Sequence, residues 1–205
     1  MSSKPKRRYT LEEYFELDRN SEIKYEYWNG EIFAMVGGSP EHSQILVNLI
    51  GELRAQLKER PCRVFPSEQR VKVPASPPYR YPDVAALCGK PEYEEIGGVK
   101  VLINPIVIVE VLSPTSERFD RGDKFTFYKS IPSFQEYILV AQHRPHITQF
   151  IKQADNKWLQ SEVNDITGNL YLPTIDCTLA LNEVYRDVEF SGTETLPFPI
   201  DESLS

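Results

Sequence analysis

Glu110, Asp83 and Lys124 have the residue types and the order expected of a site that binds a hard cation. Glu110 lies inside the apolar run 104–113 (NPIVIVEVLS), where an unpaired ionised carboxylate would be costly. Asp83 lies near the start of the shorter apolar run 81–87 (YPDVAAL), and Lys124 follows in a helix-like stretch. Mg²⁺ and Mn²⁺ bind through one or two carboxylates and keep water or phosphate as further ligands. Because a nearby lysine can hold the attacking water or offset charge on a phosphate, the three residues predict metal-dependent chemistry on a phosphate ester.

Each of these residues also has an ordinary structural interpretation. A single Glu in a buried strand can form a salt bridge at the strand end. A Pro-Asp pair is common in turns, which would account for Asp83, and a helical lysine such as Lys124 is usually solvated. The combination in this order, rather than any one residue, favours the site.

Three further residues are candidates for accessory roles. Asp120 precedes Lys124 by one helical turn on the same face, so it would orient the lysine or contact the metal through water. His42 falls in the first turn of a helix, where it either packs or reaches a phosphate or carboxylate at the mouth of the site. Glu26 lies in a strand, where it either has an accessory role in the site or forms an ion pair with a basic neighbour.

The sequence predicts the elements that must position these residues. The run 104–113 is bounded by prolines and rich in β-branched residues, which favours a strand buried on both faces of a sheet. Thr10–Glu13 forms a capping box before a short helix, and Asn29-Gly30 predicts a β-hairpin. Further predicted elements are helices at about 42–60, 119–130 and 179–186, an interrupted strand at 63–73, a mobile connection at 89–100, and strands at 134–140, 146–152, 157–163 and 169–172. The predicted fold class is α/β (α+β), with a central mixed β-sheet flanked by helices, an N-terminal helix and a hairpin.

The composition is that of one ordinary globular domain. The chain has 205 residues, of which 40% are hydrophobic and 26% charged. We expect a basic tail over 1–9, a single domain over 10–190 and an acidic tail over 191–205. No secretory signal or membrane-spanning run is visible, which predicts a cytoplasmic protein without a membrane partner.

Charge and cysteine content limit the function classes. The net charge of −7 argues weakly against a broad basic surface for nucleic acid. Cys62, Cys88 and Cys177 are odd in number and widely spaced, so they indicate neither a disulfide framework nor a zinc motif. The sequence has no P-loop and no GxGxxG pattern.

An ordered set of segments resembles the Uma-two family of bacterial restriction-endonuclease-like proteins, formerly a domain of unknown function, within the PD-(D/E)xK nuclease superfamily. The resemblance covers roughly residues 10–155. The segments that carry it are 24–32 (KYEYWNGEI), 39–42 (SPEH), 81–84 (YPDV), 109–114 (VEVLSP), 120–128 (DRGDKFTFY) and 134–138 (FQEYI).

The resemblance implies a restriction-endonuclease-like core with a two-carboxylate metal site. By position, Asp83 and Glu110 would bind Mg²⁺ or Mn²⁺, with the Val111 carbonyl as a further ligand. The superfamily lysine stands two residues after the second acid, where this chain has Leu112, so Lys124 is the replacement candidate. The implied reaction is hydrolysis of a DNA phosphodiester by a metal-activated water, leaving a 5′-phosphate. By motif position, the resemblance also puts Glu26 and His42 near the mouth of the site.

Two other functions remain open at this level. A nuclease-like fold that binds nucleic acid or a protein without cutting would explain the displaced lysine and the net negative charge. The other hypothesis is hydrolysis of a different phosphate ester, such as a nucleotide. Restriction-type nucleases often dimerise, and Tyr25, Tyr27 and Trp28, expected to be exposed, would supply a homodimer interface.

Overall fold

The computed structural model describes residues 7–35 and 37–190. Six strands form one central mixed sheet, and three two-stranded hairpins lie around it. In chain order the elements are α1 (Leu11–Asn20), β1 (Tyr25–Trp28), β2 (Glu31–Ala34), α2 (Pro40–Leu57), β3 (Cys62–Pro66), β4 (Val84–Cys88), β5 (Tyr93–Ile96), β6 (Val99–Leu102), β7 (Val107–Leu112), α3 (Glu117–Phe119), a π-helical turn (Asp120–Lys124), α4 (Phe125–Tyr128), β8 (Glu136–Ala141), β9 (Ile147–Lys152), β10 (Trp158–Val163), β11 (Asn169–Leu172), β12 (Cys177–Ala180) and α5 (Leu181–Val184).

The central sheet has the strand order β10-β9-β8-β7-β4-β3. β7 pairs parallel with β8 and antiparallel with β4, which makes the sheet mixed. All six residues of β7 are buried, as the apolar run predicts for a strand covered on both faces. Alternate side chains enter two different cores: Val109 packs on the α2 side, and Ile108 packs on the side of α4. The predicted central mixed sheet flanked by helices is confirmed.

Local signals set the two N-terminal elements. Thr10 caps α1, and the Glu13 side chain accepts a hydrogen bond from the Thr10 N–H in return, so the capping box is confirmed. Asn29 and Gly30 have φ values of 42° and 83°, which is the pair of positive φ angles that a tight hairpin turn needs. The hairpin therefore forms where the sequence predicts it.

Asp18 fastens α1 to the rest of the domain. Its buried carboxylate accepts hydrogen bonds from the hydroxyls of Tyr79 and Tyr81 and from the Arg70 guanidinium, whose Nη2 lies 2.8 Å away. Tyr81 lies two residues before Asp83, so this network also fixes the chain that leads into β4. These donors satisfy the hydrogen-bonding needs of a carboxylate that is largely removed from water.

The chain after β7 is one helical segment with a wider turn in its middle. α3 and α4 are joined by the π-helical turn Asp120–Lys124, where the predicted helix 119–130 was expected to be regular. Such turns carry an extra residue and are frequent at functional sites. This turn contains Asp120 and Lys124, the two candidate site residues of the segment, and both are buried.

The secondary structure of three local segments differs from the prediction. Residues 69–73 form no strand, since only Val71 makes isolated bridges there. The connection 89–100, expected to be mobile, contains the start of the hairpin β5–β6, whose turn uses Gly97 and Gly98 at positive φ. Strand β12 was not anticipated, and it takes part of the predicted helix 179–186.

The cysteine and surface expectations also need correction. Cys62 and Cys88 face each other in the β3–β4 register and form a disulfide, although the sequence indicated no disulfide; Cys177 is free and buried. Tyr25 and Tyr27 are half-buried against an aromatic core, and Trp28 packs between Phe119 and Phe127. These three residues therefore do not form an exposed surface for a dimer. The homodimer itself stays a prediction.

The ends of the chain are described only in part. Of the predicted tails, residues 1–6 and 191–205 lie outside the described residues, whereas the Tyr9 N–H donates to the Gly30 carbonyl oxygen at 2.8 Å. Within 7–35 and 37–190, no helix is long and apolar enough to cross a bilayer.

Candidate active site

The β4–β7 register brings two of the predicted acids together. Val84 pairs with Val109, so extending the antiparallel register by one residue sets Asp83 opposite Glu110. The Asp83 N–H lies 3.4 Å from Glu110 Oε2, and the Val111 N–H donates to Asp83 Oδ2 at 2.8 Å. The two carboxylates therefore sit side by side where β4 begins, although they are 27 residues apart in the chain.

The π-helical turn delivers the lysine to the same point. Lys124 Nζ lies 2.8 Å from Glu110 Oε1 and 3.1 Å from Asp120 Oδ1. The Tyr128 hydroxyl donates to Glu110 Oε1 at 2.7 Å, which fixes the carboxylate from a second side. Leu112 points from the same strand face as Glu110 but packs in the core. A lysine at that position would be buried among apolar side chains, so Lys124 takes its place from the neighbouring segment.

His42 reaches the site from the first turn of α2. Its N–H donates to Ser39 Oγ, the N-cap, and its Nε2 lies 3.2 Å from Asp83 Oδ2. A Cβ added at Gly38 would lie 2.7 Å from His42 Nδ1, so a larger residue at 38 would displace the imidazole. His42 thus contacts the carboxylate of Asp83, one of the two positions that sequence reasoning left open for it.

Glu26 lies beside this group rather than within it. Its Oε2 is 3.2 Å from Arg80 Nη1, so its ion-pair partner comes from the segment before β4 and not from across its own hairpin. Its other oxygen, Oε1, is buried and has no hydrogen-bond partner among the described residues. Glu26 still lines the same cleft as Asp83, Glu110 and Lys124.

The cleft has a volume of about 450 Å³ and is markedly acidic. Glu26, Asp83, Glu110 and Asp120 face the permanent cations Arg80 and Lys124, which leaves an excess of negative charge. Because Glu110 and Asp120 are each only 2% exposed, water does little to screen them. A divalent cation would offset this excess.

The pKa values follow from burial and from this crowding. Burial raises the pKa of Glu110 well above its usual range; the charges of Asp83 and Asp120 raise it further, and Lys124 opposes them. Burial also tends to raise the pKa of Asp83, but the His42 hydrogen bond and the nearby Lys124 charge outweigh it, so that pKa is lowered. The two carboxylates therefore differ in how readily they carry charge.

Lys124 is held in its charged form. Burial tends to lower the pKa of Lys124, but the carboxylates of Glu110, Asp120 and Glu26 outweigh it and raise that pKa well above its usual value. A lysine of this kind is a source of positive charge rather than a proton acceptor. Asp120 Oδ1, although 3.1 Å from the ammonium, makes no hydrogen bond of acceptable angle within the described residues, so this contact is electrostatic.

The donors present fit a hard divalent cation that keeps several waters. No group of three or more His, Cys, Asp and Glu side chains is arranged as a metal cluster in the described ranges. The acids that fit are Asp83 and Glu110, and Val111 lines the same cleft. Mg²⁺ is usually bound through one or two carboxylates, with water completing the shell. Its charge would offset the neighbouring carboxylates that raise the pKa of Glu110.

Sequence reasoning missed three residues that shape this cleft. Tyr128 lies in the recognised segment 120–128, but nothing in the sequence indicated that it contacts Glu110. Arg80 and Gln142 come from a loop and from the end of β8, and Gln142 Oε1 is buried, unpartnered in the described ranges and at the cleft wall. The only available signal was indirect, since Gln142 follows a strand that neighbours the Glu110 strand.

A mixed sheet with two carboxylates and a lysine gathered at one strand end is the arrangement that the nuclease resemblance predicted. The family comparison agrees: residues 11–182 match the Uma2 family, described as "Putative restriction endonuclease". The chain belongs to this family, so the resemblance drawn from the ordered segments is confirmed.

Two relatives and one solved structure are similar over most of the chain. Two uncharacterised Synechocystis proteins are similar along most of the chain: sll1609 is 33% identical over 75% of this chain and 86% of its own length, and slr1290 is 32% identical over 87% and 92%. A crystal structure titled "putative nuclease belonging to DUF820", from Anabaena variabilis, superposes with a TM-score of 0.68 at 18% identity. It covers 86% of this chain and 97% of that one, which shows a shared fold.

Proposed function

We propose that the protein is a metal-dependent endonuclease that hydrolyses phosphodiester bonds of DNA. One observation carries this proposal: Asp83 and Glu110 are opposite each other across β4 and β7, and Lys124 Nζ lies 2.8 Å from Glu110. Membership of the Uma2 family supports the nuclease class. The expected products carry 5′-phosphate ends.

The carboxylates of Asp83 and Glu110, with the Val111 carbonyl, would hold Mg²⁺ or Mn²⁺. When bound, the metal supplies an activated water and polarises the phosphoryl oxygens. His42 orients the Asp83 carboxylate from one side, and the Val111 N–H holds it from another. Tyr128 does the same for Glu110.

Lys124 has an electrostatic part in this proposal. Its raised pKa keeps the ammonium charged, so it stabilises negative charge that develops on the phosphate or holds the attacking water by donating a hydrogen bond. Asp120 holds the ammonium near Glu110, because the two groups are 3.1 Å apart. Asp120 is thus a positioning residue, as are His42 and Tyr128.

A second candidate function is a nuclease-like module that binds nucleic acid or a protein without cutting. The observation that favours it is the engagement of Glu110 Oε1, which already contacts both Lys124 and the Tyr128 hydroxyl. An oxygen held by two donors is a poorer metal ligand, and a binder needs no metal.

Calorimetric titration with Mn²⁺, followed by a cleavage screen, separates these candidates. We expect wild type to bind Mn²⁺ and to cut DNA, and both properties to be lost in Asp83→Asn/Glu110→Gln, which keeps the side-chain shapes. Glu12→Gln, an exposed acid on α1, is the matched control and should leave both unchanged. Cleavage that persists in the double variant would refute the site; binding of DNA with no cleavage in Mg²⁺ or Mn²⁺ would favour the non-cutting module.

A further inference from the structure

The β1–β2 hairpin has one face that is covered only in part: Trp28 packs against Phe119 and Phe127, whereas Phe33 is left exposed. Cross-strand partners share a face, and the register pairs Glu26 with Phe33 and Trp28 with Glu31. The opposite face packs on an aromatic core through Tyr25, Tyr27 and Ile32. The first face instead presents an aromatic ring from each strand, and Phe33 is 49% exposed.

This partly covered face forms one wall of a second cavity of about 600 Å³. The start of the helical segment after β7 forms the opposite wall. Glu26, Thr115, Ser116 and Phe119 line both this cavity and the acidic cleft, so the two are neighbours with a shared wall. A chain held by its phosphate in the cleft could place an adjacent group in the second cavity.

Two buried polar atoms of the cavity residues lack partners. Arg80 is 1% exposed, and its Nε donor makes no hydrogen bond within the described residues; the same holds for the Glu26 Oε1 acceptor. The two side chains are already joined through Arg80 Nη1 and Glu26 Oε2 at 3.2 Å. Both atoms are closed to solvent, so they mark an unsatisfied polar pair in the cavity wall that a ligand reaches only after the two side chains turn toward it. A ligand edge that offers an acceptor next to an N–H donor would then satisfy both, and nucleobase edges carry such pairs.

The charges around the cavity disfavour a phosphate as its occupant. Glu26, Glu31 and Asp123 outnumber the guanidinium groups of Arg8 and Arg80. A cationic ligand is also disfavoured at the aromatic wall, since the Arg80 guanidinium already lies 5.3 Å from the centre of a Trp28 ring. A neutral planar ring fits this combination of aromatic walls and paired polar atoms.

We propose that this cavity binds an unpaired nucleobase next to the phosphodiester to be cut. The inference rests on the proposed function and narrows its substrate class to nucleic acid with a single-stranded or extruded nucleotide at the cleavage position. A base within a regular duplex cannot enter the cavity without leaving the stack. The aromatic side chains supply stacking, and Glu26 and Arg80 contact the base edge.

The test measures binding in Ca²⁺ of three duplexes that differ at one position: fully paired, with one bulged nucleotide, and with an abasic residue in the bulge. We expect wild type to bind the bulged duplex about tenfold tighter than the other two, as for one stacked base. Phe33→Leu should remove this preference, and Phe33→Tyr should keep it. Tyr93→Leu, at a side chain that is 44% exposed on another hairpin, is the matched control.

Binding and cleavage outcomes are distinguishable. Equal affinity for the bulged and abasic duplexes, or a preference that survives in Phe33→Leu, overturns the base pocket even if the enzyme cuts DNA. A base-dependent affinity without cleavage in Mg²⁺ or Mn²⁺ supports the pocket while refuting the nuclease. Failure to bind any of the three duplexes overturns both. Because Phe33 is half-exposed, thermal unfolding of the variants should match wild type and confirm that they are folded.

Discussion

Replacing Lys124 by Met removes the cation from a buried charge cluster. At an effective dielectric constant of about 20, the 2.8 Å contact with Glu110 is worth about 6 kcal/mol, and the 3.1 Å contact with Asp120 about 5 kcal/mol. Desolvation of the buried charges, at several kcal/mol for each, offsets most of this attraction. We expect Lys124→Met to lower the free energy of unfolding by about 3–5 kcal/mol at neutral pH, as when one partner of a buried pair is removed.

The loss should depend on pH and on Glu110. Without the ammonium, the folded-state pKa of Glu110 lies still further above its unfolded value, so the folded state binds the extra proton between those two pKa values. Stability then falls as the pH rises through that window, and the loss relative to wild type should be smaller at about pH 5 than at about pH 8. Glu110→Gln should recover at least about 1.5 kcal/mol of the loss, since neighbouring sites couple by about 0.5–3 kcal/mol.

These free energies of unfolding are measured by urea denaturation at both pH values. The measurement compares wild type, the two single variants and the double variant. Lys58→Met, at an exposed lysine that follows α2, is the control and should change stability by less than about 0.5 kcal/mol. Additive effects of Lys124→Met and Glu110→Gln, or a loss under about 1 kcal/mol, would refute the ion pair as the organising contact of the site.

Three other expectations concern the wider fold. Asp18→Asn weakens the charged hydrogen bonds from Arg70 and two tyrosines, so unfolding in urea should show a loss of about 2–3 kcal/mol; an unchanged midpoint would contradict this. Burial, with help from Arg144, lowers the pKa of His146, so the folded state holds it neutral and stability should fall as the pH drops below about 6.5; a His146→Gln variant with the same pH profile would argue against this. Sedimentation at micromolar concentration tests the homodimer, and a monomer at all concentrations would rule it out.

Elements with local signals could be predicted from the sequence alone. The Thr10 capping box, the Asn29-Gly30 turn and the apolar run through Glu110 each depend on residues close in the chain. The hairpin β5–β6 had such a signal too, because Gly97-Gly98 is a favoured pair for a tight hairpin turn. It was obscured by the acidic composition of the segment around it.

Non-local contacts were not accessible in this way. The meeting of Asp83 and Glu110 depends on the register of two strands; residue types and order suggested a shared site, and the family resemblance supported it, but neither gave the register. Cys62 and Cys88 come together for the same reason, since the β3–β4 register sets them opposite each other. No local signal marks the π-helical turn that holds Asp120 and Lys124, and the sequence predicted a regular helix there.

The four-residue spacing of Lys124 and Tyr128 makes chain length a constrained property of this segment. Both side chains contact Glu110 Oε1 because residues four apart lie on one helical face. An α-helix advances about 100° for each residue, so an insertion or deletion between them would turn one of the two away from Glu110. The chain before Lys124 tolerates a change in length better: the π-helical turn already carries an extra residue, and deleting the exposed Gly122, whose Cβ position has no atom within 4 Å, would convert it to regular α-helix.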